Sequence, residues 1–236
     1  MVHYRLKRDP RSSHQQINTL LRAKKPGLTL DVGAAQGILG ELLQGSGLVV
    51  DGVEPTAEWA EMARPFYRNF YPTTVEGAQL PDGTYDAVVC ADVLEHLPDP
   101  LTVLKQLRRA AKPDALFVIS LPNIAHFSIR LMLLAGRFPK MERGILDKTH
   151  LQFLTKDTAT DLLKSAGLKV EKVTATGVPL EQVWKTGEDK ALFKLIRGCQ
   201  NLAVDVWPRM AGFQWIFQAR PYQSVPTPGV TPPAIG

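Results

Sequence analysis

The sequence predicts an α/β fold: a parallel sheet covered by helices on both faces. Short apolar runs of strand length alternate with segments of helical periodicity, the rhythm of a strand–helix–strand chain. Asp31, Glu54, Asp92 and Pro122 fall at or just past the ends of four such runs. In parallel sheets ligands bind beyond the C-terminal strand ends. The length, 236 residues, suits one large α/β domain or two small ones.

Taken in order, "LTLDV" (28–32) is the first strand, followed by Ile38, Leu39, Leu42 and Leu43 at helical spacing. "LVVDGVE" (48–54) is strand again, and "TAEWAEMARPFY" (56–67) is helical. "YDAVVCA" (85–91) is a third strand. Leu97, Leu101, Leu104, Leu107 and Ala111 mark one face of a helix ending near "KPDA", before the strand "ALFVISL" (115–121). A helix-like "IAHFSIRLMLLAG" and the irregular "RFPKMERGILDKTH" fill 122–150. Thr155 reads as the N-cap of "KDTATDLLKSAG", with Gly167 as its stop. "LKVEKVTA" (168–175) is strand, and Leu192, Leu195, Ile196, Cys199, Leu202, Ala203 and Val206 trace a helical stripe. "FQWIFQAR" (213–220) is a last strand.

Three segments follow from composition. Residues 1–26 form a basic N-terminal arm or helix, with Arg5, Lys7, Arg8, Arg11, Arg22, Lys24 and Lys25 against only Asp9. Such a charge run reads first as a solvated arm. Residues 27–220 form one domain, within which the pattern changes over 122–155, the stretch that the resemblance given below makes an acceptor-covering segment. Residues 221–236 carry five prolines and no apolar period, the signature of a disordered tail. Two cysteines, Cys90 and Cys199, make no disulfide framework. The N-terminus has no apolar signal region, and no run approaches a membrane span, so a cytoplasmic protein is expected.

The turn "DVGAAQG" (31–37) raises the question of what it holds. A dinucleotide fingerprint needs G-x-G-x-x-G, so that backbone amides approach a pyrophosphate. Here Ala35 stands where the second glycine would, the spacing differs, and Asp31 would repel a diphosphate by a few kcal/mol at close range, roughly. S-adenosylmethionine inverts that logic. It carries no phosphate but offers a sulfonium, an ammonium and a ribose diol. Asp31 suits the amino-acid end, and Glu54, ending the next strand, suits the ribose hydroxyls.

With those residues in place, the chain resembles the class I S-adenosylmethionine-dependent methyltransferases. The carrying stretches are "LDVGAAQG", "GVEP", "LPDGTYDAVVCADVLEHLPDP" and "KPDALFVISLPN", in the family's order over residues 12–175. More narrowly, "SLPNIAHFSIRLMLLAGRFPKMERGILDKTHLQFLT" resembles bacterial small-molecule methyltransferases of polysaccharide, natural-product and methionine-associated pathways. The resemblance implies a Rossmann-like seven-stranded sheet, mostly parallel, with the last strand antiparallel. It implies that Asp31, Gly33, Ala35 and Gly37 line the methionine and ribose part and that Glu54 holds the ribose. Adenine would lie by 75–81, where Ala78 replaces the usual acid and either Glu76 or backbone amides take its place. Asp92 would border the sulfonium.

Methyl transfer from a sulfonium is an in-line displacement with a neutral leaving group, so alignment supplies much of the rate. A hydroxyl acceptor must also lose its proton, and histidine suits that task at neutral pH. His150 and His126 are the candidate catalytic bases, while His96, Arg130 and Arg143 are candidate acceptor-binding residues. The arginines, with Arg137 and Lys148, suit an anionic acceptor. No Cys/His cluster has metal-ligand spacing, so no metal is expected, and an Asp92–Asp147 magnesium pair is not adopted. The reading is an O-methyltransferase of a sugar or other polar metabolite, yielding S-adenosylhomocysteine. Its rivals are a small-molecule N-methyltransferase, an RNA methyltransferase and a non-catalytic partner protein. Nucleic acid and membrane are not expected partners, core packing being preferred to membrane docking for 192–217. A homodimer is compatible with the sequence.

Overall fold

In the computed structural model, which describes residues 9–180 and 191–222, seven strands form one sheet. They are β1 (Leu28–Val32), β2 (Val49–Val53), β3 (Phe70–Tyr71), β4 (Tyr85–Ala91), β5 (Ala111–Pro122), β6 (Leu168–Thr176) and β7 (Gln214–Pro221). Their spatial order is β3-β2-β1-β4-β5-β7-β6. The pairs from β3 to β5 are parallel. β7 is antiparallel to both neighbours, inserted between β5 and β6. This is the predicted mostly parallel sheet with its last strand reversed. The tail expected as disordered lies, from residue 223 onward, outside the described residues.

The helices are α1 (Ser13–Lys24), α2 (Ile38–Leu43), α3 (Ala57–Ala63), α4 (Pro100–Ala110), α5 (Phe127–Leu134), α6 (Lys156–Ser165), α7 (Ala191–Val206) and α8 (Pro208–Ala211). Side chains of a strand alternate between faces, and here both faces are buried. Val88 and Cys90 of β4, with Phe117 and Ile119 of β5, join α4 (Val103, Leu104, Leu107) and α6 (Leu163) in one core cluster. The intervening Ala87, Val89, Leu116 and Val118 face the opposite way and pack with α1 (Ile17, Leu21) and α2 (Leu39, Leu43).

Local chemistry sets the helix ends. Asp99 caps α4 by accepting from Thr102 N at 3.1 Å, with Pro100 at the first helical position. Thr155 caps α6 in a reciprocal box with Thr158. Gly167, at φ +81°, follows that helix as expected. α4 stops earlier than its apolar stripe suggests: Ala111 is extended and already pairs with Tyr85, and Pro113 cannot sit in a helix interior. Thus "KPD" belongs to β5.

Two segments bear on the sequence reading. The basic N-terminal segment, expected as an arm or helix, is helical over 13–24. It folds as α1, and Ile17 and Leu21 are wholly buried against the sheet while the charges face out. Conversely, the stripe on α7 is not core. Phe193 and Val204 are buried, but Leu192, Leu195, Leu202, Val206 and the following Trp207 are exposed. Among the described residues no helix is long and apolar enough to cross a membrane.

Because α1 closes one face of the sheet, Leu21→Ala should lower unfolding free energy by about 2–5 kcal/mol. Lys24→Ala, on the exposed side of the same helix, should stay within about 0.5 kcal/mol. Urea denaturation of both variants checks this, and equal midpoints would show that α1 adds nothing to the core.

Candidate active site

The strand register places two carboxylates side by side. In the β1–β2 pairing Asp31 lies opposite Gly52 and Val32 opposite Val53, so Glu54 follows directly at the end of β2. Both acids are buried, at 2% and 4% exposure. Glu54 Oε2 accepts from Ala35 N at 2.9 Å, and Oε1 accepts from Thr56 N at 2.8 Å. The acid thereby ties its strand end to the turn after β1, and each oxygen keeps a further lone pair. Asp31 Oδ2 accepts from the Tyr67 hydroxyl at 2.6 Å, and that hydroxyl accepts in turn from Gly40 N at 3.2 Å. Burial pushes the Asp31 carboxyl up to about 7, against the downward pull of the Tyr67 hydrogen bond and with a further push from the Glu54 charge.

The turn between these acids is left-handed at three positions: Gly33 (φ +70°), Ala35 (φ +47°) and Gly37 (φ +84°). A Cβ on Gly33 would stand 2.6 Å from Val93 Cγ2, and one on Gly37 2.8 Å from Ala63 Cα. Glycine is therefore needed at both for space as well as conformation. Ala35 carries the strained geometry with its amide fastened to Glu54.

Beyond β4 Asp92 is also left-handed (φ +58°). Its Oδ1 accepts from Ser120 Oγ at 2.6 Å and its Oδ2 from Gln214 Nε2 at 2.7 Å. The side chain is thus anchored by β5 and β7, at the carboxyl end of the sheet where Asp31 and Glu54 also lie. Neither Ser120 nor Gln214 carries a sequence signal for this task, since both sit inside strand patterns.

The histidines separate into two environments. His126 caps α5, its Nδ1 2.8 Å from Ser128 Oγ and accepting from Ser128 N at 3.4 Å. Its Nε2 is buried without a partner among the described residues, and burial pushes the ring down to about 4. That is the setting of a neutral structural imidazole. His150 is brought against His96, ring centroids 4.8 Å apart and edge to face, because Leu151 N and Gln152 N both donate to Glu95 O, at 2.7 and 3.0 Å. His150 Nδ1 lies 3.0 Å from Ile145 O, and His96 Nδ1 lies 3.3 Å from Thr149 O. Carbonyls only accept, so the neutral form of both rings holds its proton on Nδ1 and leaves Nε2 as an acceptor. Burial, then the neighbouring His150, pushes the His96 ring down.

Glu95 joins them. It is 1% exposed, and neither carboxylate oxygen has a hydrogen-bond partner among the described residues. Burial first, then the Asp92 charge, pushes its carboxyl well up. The sequence reading overlooked it as one letter of "LEHLPDP". Distant segments also meet here: Glu95, His96 and His150 each bring a potential ligand atom within 4.8 Å of the others.

The remaining candidates stay apart. Glu76 is exposed in the loop after β3, a loop held instead by Gln106 Nε2 donating to the carbonyls of Val75 and Ala78, at 2.8 and 3.1 Å. Arg130 is exposed and its Nε donates to Ala125 O at 2.7 Å; Arg143 is exposed on the following segment.

A methyltransferase-domain family model matches residues 3–173. A ubiquinone biosynthesis O-methyltransferase of Haemophilus ducreyi is 30% identical over 152 residues, 55% of this chain and 64% of that protein. One of Thiobacillus denitrificans is 29% identical, covering 68% of this chain and 72% of its own length. The chain thus spans about two thirds of such relatives. Among solved structures, a SAM-dependent methyltransferase of Archaeoglobus fulgidus aligns with a TM-score of 0.59 at 20% identity, over 89% of this chain and 95% of the other. The 1,6-didemethyltoxoflavin-N1-methyltransferase of Burkholderia thailandensis gives 0.59 at 16% identity, over 90% and 80%. These two likenesses concern the fold, whereas the family model covers most of the sequence, and by that match the chain belongs to the methyltransferase-domain family.

Proposed function

We propose that this chain transfers the methyl group of S-adenosylmethionine to a hydroxyl of a small-molecule acceptor. The observation that carries the reading is the pair of buried carboxylates, Asp31 and Glu54, at neighbouring strand ends around a left-handed turn. A site walled by two acids favours a cationic ligand and disfavours a diphosphate. Asp31 would face the ammonium end and Glu54 the ribose diol, with Gly33, Ala35 and Gly37 letting the backbone lie close. Asp92 would stand on the sulfonium side, and the adenine would rest on the 75–81 loop near Glu76.

Oxygen as the accepting atom is supported by the relatives named ubiquinone biosynthesis O-methyltransferase. The reaction needs the acceptor oxygen in line with the methyl carbon and sulfur, and its proton removed. We assign activation of the hydroxyl to the His150 side, because the Ile145 carbonyl at His150 Nδ1 leaves Nε2 as an acceptor while His126 is engaged as a cap. The acceptor segment also carries exposed Phe127, Leu131 and Leu134, and a Phe138–Phe153 contact at 5.3 Å between centroids. These favour an acceptor with an apolar body beside its hydroxyl over a bare sugar. The buried Cys90 thiol suits a reducing compartment, and we read the protein as cytoplasmic.

Three outcomes test the reading. Calorimetry of S-adenosylhomocysteine binding should show Glu54→Gln weakened by about 10–100-fold, the value of a charged hydrogen-bonding partner. Unchanged binding would falsify the ribose assignment.

The second is pH dependence. The folded value of Asp31, about 7, lies above its ordinary 3.8, so between these pH values the folded chain holds a proton that the unfolded chain has released. Its contribution to stability is full below 3.8 and is lost as pH rises to about 7. A cationic ligand needs the ionised form, so S-adenosylmethionine affinity should rise by up to about tenfold per pH unit below 7 and level off above it. Asp31→Asn should flatten that profile; a slope retained in the variant would assign it to another group.

The third outcome is catalytic. With a turned-over acceptor, His150→Ala should lower kcat by about 10²–10⁴-fold. His126→Ala should chiefly cost stability, by about 0.5–2 kcal/mol for a lost cap. Equal turnover in the two variants would remove His150 from the reaction. A panel of hydroxylated aromatic, prenylated and sugar acceptors, read by S-adenosylhomocysteine release, should favour the first two.

A further inference from the structure

We propose that Glu95, His96 and His150 bind a divalent first-row transition-metal ion that holds the acceptor's hydroxyl oxygen. The assignment of the ion to the acceptor rests on the methyl-transfer reading; the binding of the ion does not.

Three observations converge. First, Glu95 is fully buried with both oxygens unpartnered among the described residues. A bare buried carboxylate costs several kcal/mol, on the order of what breaking a buried ion pair costs, and protonating it would still leave an unmatched donor and acceptor. A cation removes that cost. Second, both imidazoles are set in the ligating tautomer. Each Nδ1–H points to a backbone carbonyl, Ile145 O for His150 and Thr149 O for His96, leaving Nε2 free to bind. Such outer hydrogen bonds orient metal-bound histidines. His96 Nδ1 also lies 3.2 Å from Thr149 Oγ1, whose own hydroxyl donates to Asp147 Oδ1 at 2.7 Å. Third, the geometry is close to closure. The three candidate donor atoms lie within 4.8 Å of one another. Around an ion with bonds of about 2.1 Å, tetrahedral ligands sit about 3.4 Å apart, a difference that side-chain rotation covers. The backbone is already fixed, since Leu151 N and Gln152 N clamp the His150 segment onto Glu95 O.

The ligand set selects the ion. Two imidazoles and one carboxylate suit zinc, cobalt, iron(II) or manganese, whereas calcium and magnesium prefer all-oxygen shells. Three protein ligands leave a position open. Asp92 and Asp147 stand near enough for their charge to act on Glu95, which adds to the attraction for a cation. An acceptor hydroxyl entering the open position would have its pKa lowered by the ion and release its proton to solvent. The oxygen lone pair then forms the bond to the methyl carbon as the carbon–sulfur bond breaks, its electron pair passing to sulfur and cancelling the sulfonium charge. In this arrangement His150 acts on the acceptor through the ion and not as a free base.

The test uses the full-length, tag-free chain stripped with a chelator and titrated with Co²⁺, followed by its visible d–d absorption, and with Zn²⁺ in competition. A single equivalent should bind, zinc should displace cobalt, and the spectrum should be lost in His150→Ala and Glu95→Gln, with zinc affinity down by about a hundredfold or more. His126→Ala, outside the cluster, should keep the spectrum. His96→Asn supplies a further ligand-loss variant if Glu95→Gln does not fold. No saturable cobalt or zinc binding to the parent chain overturns the proposal, as does binding that survives loss of His150, or stabilisation by Mg²⁺ alone. S-adenosylhomocysteine binding, measured separately on the same samples, keeps the two readings distinct. Cobalt bound without the nucleoside retains the metal site and sinks the methyl-transfer reading; the nucleoside bound without cobalt does the reverse.

Discussion

Two acids held out of water at the ends of adjacent parallel strands set the terms for everything around them. Asp31 and Glu54 are neighbours because β1 and β2 pair in parallel register, and a one-residue slip would turn both away. Neither is free of cost. Glu54 is compensated by two backbone amides, whereas Asp31 has the Tyr67 hydroxyl alone among the described residues. That imbalance is why burial raises Asp31 so far. A carboxylate incompletely satisfied by its own protein is poised for a ligand that brings the missing donors.

The same logic appears in the backbone. Left-handed residues without glycine's freedom cost about 1–3 kcal/mol each and persist only where surroundings impose them. Ala35 and Asp92 are two such residues, and each is fastened by the site itself: Ala35 through its amide to Glu54, Asp92 through its carboxylate to Ser120 and Gln214. Gln214 opens β7, the strand that enters the sheet last and in the opposite direction. Its insertion beside β5 puts Gln214 opposite Pro122, at the carboxyl end of the parallel strands. The reversed strand therefore completes the site as well as the sheet.

How far this was legible depends on distance along the chain. The strands that bury both faces, such as "YDAVVCA", and the cap at Thr155 are local patterns, and the fold keeps them. Asp31, Gly33, Ala35 and Gly37 are local too, because one turn contains them. β3, at two residues, is too short to carry a period, and it exists only because β2 offers an edge. The apolar stripe of α7 is true periodicity without the burial it implies, since periodicity reports a face and not what covers it. Other contacts of the candidate site are illegible for a deeper reason. Tyr67, Ser120, Gln214 and the Glu95–His96–His150 group acquire meaning only when distant segments meet, and no spacing rule spans the chain between Glu95 and His150.

Net charge misleads for a related reason. The chain is basic, at +5, which on its face suggests an anionic partner. Yet the charges are sorted by depth. Asp31, Glu54 and Glu95 are buried, while Arg130, Arg137, Lys140 and Arg143 stand in water. At physiological salt the exposed set is screened within about 8 Å, whereas buried charges act through a medium that screens far less. An interior carboxylate in its ionised form therefore weighs more, site for site, than a surface cation in deciding which ligand charge is accepted beside it. The basic rim governs only what approaches it, and a ligand that carries a cation at its reacting end and an apolar or anionic partner at the rim would satisfy both.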